Sequence, residues 1–148
     1  DDIGGVTVTP EYTFGSFSKG QSITLKGDLT EEFVRHRDTT LLDDNLRRMS
    51  CQRLYLNSFT SQIVPAIKDD FTLPLKLYQD SSEYTVTNIN PNIMTYLASS
   101  LATNYSGLNM ITTKGEYKMV TGDASAEFKL DKNDFFEKIL DIYYNKIK

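Results

Sequence analysis

The sequence holds one cysteine, Cys51, one histidine, His36, and no tryptophan. A lone thiol cannot close an internal disulfide, and it is too few for a structural zinc cluster. A lone imidazole means that any Ser-His-Asp or Cys-His mechanism must run through His36, which stands between Arg35 and Arg37. Adjacent guanidinium groups lower an imidazole's affinity for a proton, and no Gly-x-Ser-x-Gly elbow occurs to supply a nucleophile. His36 therefore reads as a surface histidine beside a binding patch. Cys51 has Arg48 and Arg53 nearby, which would favour a thiolate, but a single cysteine of this kind is more often a small buried apolar residue.

Other signatures are missing too. The chain has no apolar run long enough to span a bilayer. Sixteen basic against twenty acidic side chains leave a net charge of −4, so the chain as a whole repels a phosphate backbone and nucleic acid is not an expected partner. Walker and Rossmann glycine patterns are absent, and the glycines at 4, 5, 15, 20, 27, 107, 115 and 122 fall at expected turns. Asp131-Lys132-Asn133-Asp134 opens like a calcium loop but puts Phe135 at a ligand position and Phe136 at the glycine position. The pairs Asp43-Asp44 and Asp69-Asp70 read as caps and turns. No metal or other cofactor is expected.

What is present suits one α+β domain spanning residues 1–148, since a chain of this length can bury a substantial core. Val6 and Val8 alternate with Thr7 and Thr9, Tyr12 and Phe14 flank Thr13, and Ile23 and Leu25 flank Thr24, a period-two pattern that predicts an antiparallel β-meander. Asp28 to Glu31 and Thr40 to Asp43 resemble helix starts and predict short helices over 29–37 and 41–50. Residues 51–57 fit helix or strand, and Ser58 is read as the cap of a third short helix weakened by Pro65.

Phe71, Leu73, Leu75 and Leu77 alternate with polar residues and Pro74, which predicts an edge strand at 71–79, followed by a strand from Tyr84 to Ile89. Asn90-Pro91 then opens a helix with Ile93, Leu97, Leu101 and Tyr105 at four-residue intervals, ended by Gly107. Strands at 116–121 and 124–130 are joined by Gly122-Asp123 as a hairpin turn. Asp131 caps an amphipathic C-terminal helix whose stripe of Phe136, Ile139, Leu140, Tyr143 and Ile147 is expected to pack on the sheet. The architecture is one or more antiparallel sheets with a few packed helices.

All the arginines, Arg35, Arg37, Arg47, Arg48 and Arg53, fall within one stretch of nineteen positions. Arginine is preferred where planar, multidentate contact with carboxylate or phosphate is made, so these residues and His36 form the candidate binding face. The competing explanation is local neutralisation, because Glu31, Glu32, Asp38, Asp43 and Asp44 are interspersed among them. The tyrosines on predicted strands are explained by core filling and cross-strand pairing.

Asp1-Asp2, Gly4-Gly5, the Thr-rich strands and the frequent Asn, Lys, Ile and Tyr make the chain similar in style to small exported lipoproteins of Bacteroidetes-type bacteria. That resemblance implies an exported, periplasmic or cell-surface protein with a lipid anchor upstream of Asp1. It carries no site residues. Without a readable catalytic constellation, the expected function is a non-catalytic binding or assembly module whose partner is another protein. A structural part of a phage or virion particle, docking through an edge strand at 71–79, is the first alternative. A small hydrolase with a spatially assembled carboxylate site is the second, and a pocket with converging carboxylates would favour it.

Overall fold

In the computed structural model, the chain is described for residues 3–38, 40, 41, 43–119 and 126–144. It is an α+β protein whose contacts separate into two compact units, Asp1–Leu108 and Asn109–Lys148.

In the first unit, β1 (Val6–Val8) and β2 (Ile23–Leu25) pair antiparallel, with Val6 opposite Leu25 and Val8 opposite Ile23. Val6, Val8 and Leu25 turn inward and are buried, while Thr7 and Thr24 join their hydroxyls across the outer face at 3.0 Å. The alternation thus places a two-stranded ribbon correctly. Tyr12 to Phe14 does not extend it: the intervening chain is a loop in which Phe14 and Phe17 form an isolated bridge. Phe17 is buried and packs edge-on against Phe33, 5.1 Å between ring centres.

Helix α1 (Asp28–Arg35) follows, entered through Gly27 at φ 49°, a left-handed conformation that glycine adopts without steric cost. Helix α2 (Asp44–Asp69) is one continuous rod where two short helices were expected over 41–50 and from Ser58. The ambiguous 51–57 segment is simply its middle. Pro65 lies on the exposed side of the rod, and its neighbours Ile63, Val64 and Ile67 are buried, so apolar packing offsets the missing donor.

The expected edge strand at 71–79 is a helix, α3 (Leu73–Ser81). Pro74 lies in its first turn, where the lost N–H has no intrahelical role, and Asp70 Oδ1 accepts the Thr72 N–H at 2.9 Å just upstream. Residues 84–89, expected as a strand, form no regular element. Helix α4 (Pro91–Asn104) matches its prediction, with the Asn90 side chain accepting the Ile93 N–H at 3.0 Å. Its expected stripe is less buried than foreseen: Ile93, Leu97 and Leu101 are exposed, and Ala102 is the buried residue. Two adjoining clusters make the core, one of Val6, Val8, Phe17, Leu25, Phe33 and Cys51, the other of Ile63, Val64, Ile67, Leu73 and Ala102.

In the second unit, β3 (Gly115–Met119) and β4 (Ala126–Leu130) pair antiparallel, with Tyr117 opposite Phe128 and their rings 5.0 Å apart. The Gly122-Asp123 turn lies outside the described residues. Helix α5 (Lys132–Tyr143) is capped as expected by Asp131, which accepts from Asn133 and Asp134. None of its described residues is buried, so the expected packing of its apolar stripe on a sheet is not seen. It is tied instead to the foot of β3, where Asp134 Oδ2 accepts the Lys114 N–H at 2.7 Å.

Candidate functional site

The end of α1 and the start of α2 lie side by side in the first unit, and the loop between β1 and β2 leans on both. Together they enclose a cleft of about 140 Å³. One wall is the loop, through Tyr12, Thr13, Phe14 and Gly15. Phe33, His36 and Asp38 come from α1 and its exit, and Asp44, Arg47, Arg48 and Cys51 from the first turns of α2, with Leu41 between.

Arg47 and Arg48 reach this cleft by different routes. Arg47 Nε donates to Asp43 Oδ2 at 2.9 Å, one helical turn back, and its guanidinium lies over the Tyr12 ring, 5.1 Å from the ring centre. The hydrogen bond to Asp43, and then its charge, raise the guanidinium's affinity for its proton. Arg48 donates from Nη2 to Asn45 Oδ1 at 2.8 Å, but its Nε is buried and has no acceptor among the described residues. A buried donor without a partner is uncommon and costly in a folded protein.

The two carboxylates in the lining are occupied. Asp44, itself buried, accepts the Asp38 N–H at 2.8 Å. Asp38 accepts from both the hydroxyl and the N–H of Thr40, and these bonds hold its carboxyl below the usual carboxylate range. His36 packs its ring against Phe14, 5.1 Å between centres. Cys51 is buried, as expected, and burial, aided by the charge of Glu11, pushes its thiol up to about 11. It stays protonated near neutrality and is a poor nucleophile.

Of the six residues singled out from sequence, the structure brings together His36, Arg47 and Arg48. Arg35 is exposed and pairs along its own helix with Glu31 at 2.6 Å. Arg37 is exposed and Arg53 half-buried, and neither lines the cleft. Sequence reading missed Tyr12, Phe14, Asp38 and Asp44 as members. Among the described residues, no group of three or more His, Cys, Asp or Glu side chains is placed to hold a metal ion, and no helix is long and apolar enough to cross a membrane.

The fold defined by these elements recurs in solved bacterial proteins. One is TagV of B. subtilis, with a TM-score of 0.70 and 16% identity, where the match covers 97% of this chain and 59% of that one. Lin1025 of Listeria innocua gives 0.60 and 22%, covering 97% and 59%, and a protein of Enterococcus faecalis described as a transcriptional regulator, EF0465, gives 0.66 and 18%, covering 93% and 50%. At these identities the likeness establishes the fold alone. The chain spans about three-fifths of the length of TagV and Lin1025. No family model matches the chain, nor does any curated protein.

Proposed function

We propose that this chain is a non-catalytic binding module whose cleft receives an anionic group, a carboxylate or phosphate, carried by a partner protein. The observation that carries the reading is Arg48 Nε, a buried donor without an acceptor among the described residues, in a cleft shared with Arg47 and His36. An oxyanion has lone pairs for such a donor, and a planar guanidinium suits its geometry. Asp38 and Asp44 bring the lining close to electrical neutrality, so recognition rests on directed N–H donors rather than long-range attraction. Export to the periplasm or cell surface is part of the proposal and rests on the style of the N-terminal segment. Fractionation of cells expressing the native gene tests it.

Exchanging Arg47 and Arg48 together for Glu tests the binding reading. Calorimetric titration with sodium phosphate and with an acidic peptide should show saturable uptake by the parent and its loss in a folded double variant, whose melting temperature falls modestly because the Arg47 contacts to Asp43 and Tyr12 are lost. Equal uptake by both, or unfolding of the variant, would make these arginines local neutralising charges.

The second reading, a small hydrolase, is favoured by one observation: Asp38 and Asp44 both line the cleft. Their hydrogen bonds make them acceptors that shape the wall rather than free acid and base. Turnover of an activated ester or phosphoester by the parent, abolished in Asp38→Asn, would put this reading first. The virion alternative has lost its support, because the edge strand it needed at 71–79 is helix α3.

A further inference from the structure

We propose that Glu32 is a positioning residue for the cleft: its carboxylate fixes the loop between β1 and β2 and so places the aromatic wall against Arg47 and His36. The proposal rests on the binding reading above. The loop is shaped from within. Gly20 N–H donates to Pro10 O at 2.9 Å, Lys19 N–H to Thr13 Oγ1 at 3.1 Å, and Phe14 and Phe17 exchange backbone bonds of 3.0 and 2.8 Å. These bonds set the loop's form but not where it lies on the helices.

Apolar packing pins the loop first, since Pro10 and Phe17 are fully buried and Phe14 lies 5.6 Å from Phe33 between ring centres, but such contacts carry no direction. Glu32 supplies a second, directed tie. From α1 it accepts the Ser16 N–H at 2.9 Å and the Ser16 hydroxyl at 3.3 Å, and hydrogen bonds to an ionised acceptor are the strong ones. A third tie runs to α2, where Ser50 Oγ donates to Glu11 at 2.7 Å. The backbone of Glu32 also accepts the His36 N–H at 3.0 Å, so one residue anchors the loop by its side chain and the histidine by its main chain.

The approach of loop to helix is close. Gly15 has φ 47°, and a Cβ there would collide with Glu32 Oε1. Held in this way, the loop sets the Phe14 ring 5.1 Å from that of His36 and the Tyr12 ring 5.1 Å from the Arg47 guanidinium.

The lone histidine provides the readout. Its imidazole Cε1–H should give an unambiguous NMR signal, displaced by the ring current of Phe14 without any ligand. Glu32→Ala should move that signal toward its unshifted position and weaken binding of inorganic phosphate on the order of tenfold. Glu32→Gln keeps an oxygen for the Ser16 N–H and should restore most of both. Gly15→Ala keeps the Glu32 residue but puts a Cβ where its Oε1 lies, so the carboxylate must turn away from Ser16, and should reproduce the Glu32→Ala result. It decides the matter if Glu32→Ala does not fold. Folded variants with the parent's His36 signal and phosphate affinity overturn the proposal. If the parent itself takes up no phosphate, the binding reading fails, while the His36 signal still shows whether Glu32 places the wall.

Discussion

Gln62 stands in for a third strand beside β1. Its side-chain oxygen accepts the Thr7 N–H at 3.0 Å and its amide nitrogen donates to Thr7 O at 3.1 Å, so one carboxamide satisfies both main-chain groups on the side of β1 away from β2. The same nitrogen donates to Ser58 O one turn back in α2, which holds the side chain in place. Gln62→Leu removes both bonds to Thr7. At about 0.5–1.5 kcal/mol net for each, the loss is about 1–3 kcal/mol. Thr7 is exposed, so water recovers part of it and the lower half of that range is expected, about 1–2 kcal/mol. For a unit of this size that corresponds to a fall in melting temperature of about 4–8 °C, measurable by circular dichroism, with an unchanged urea m-value. Gln62→Glu sharpens the test. Its carboxylate accepts the N–H but repels Thr7 O near neutrality, and below about pH 4 the protonated carboxyl donates and recovers part of the loss. A Leu variant that melts with the parent would show that water serves Thr7 as well as Gln62 does, and the reasoning would fail.

Cys51, buried and with its thiol pushed up to about 11, should react slowly with a thiol reagent at neutral pH and at once after unfolding in urea; fast native labelling would contradict its burial. The hydrogen bonds of Asp70 to Thr72 and Lys76 pull its carboxyl down to about 2, so its contribution is fully present above the unfolded value of about 3.9 and is lost as pH falls through about 2. Asp70→Asn should therefore flatten the acid limb of the stability profile, and an identical acid limb would refute the assignment. Gly5 has φ 95° and an added Cβ would lie 2.6 Å from Leu25 O, so Gly5→Ala should cost about 1–3 kcal/mol. Gly20→Ala, at φ 77° but with open space around it, should cost less, about 1 kcal/mol, and equal losses at the two sites would remove the steric argument.

The elements read correctly from sequence are those whose signals are local. Asn90-Pro91 and Asp131 cap helices with their own side chains, and Val6, Val8 and Leu25 bury the faces that alternation assigns to them. The segment from Phe71 to Leu77 shows where alternation misleads. Leu73 and Leu77 are four apart, which fits one face of a helix as well as one face of a strand, and four apolar positions are too few to separate the periods. Pro74 tipped the reading toward an edge strand, although the first turn of a helix tolerates proline equally well, and Leu73 and Pro74 are buried there. For α2, the apparent breaks at Ser58 and Pro65 are real local weaknesses. Ile63, Val64 and Ile67 override them by packing into the second cluster, and that contact is invisible in a linear window.

The cleft divides in the same way. Arginine clustering marked the stretch of chain that borders the cleft but not which of its members line it, because a helix points its side chains around a circle. Arg35 turns out to pair with Glu31, whereas Arg47 and Arg48 turn toward the loop. The local-neutralisation reading holds in part, since Arg35 and Arg47 both pair with a carboxylate one turn back. It does not account for Arg48, whose buried Nε no carboxylate of the described residues reaches. Tyr12 and Phe14 were unreachable from sequence for another reason: Tyr12 meets Arg47 and Phe14 meets His36 across long stretches of chain, and only closure of the loop on α1 and α2 brings them there. What turns a charged stretch of surface into a site is thus the loop. Glu32 is the residue that converts its local shape into a position, acting from a helix turn that in sequence looks like one more neutralising charge.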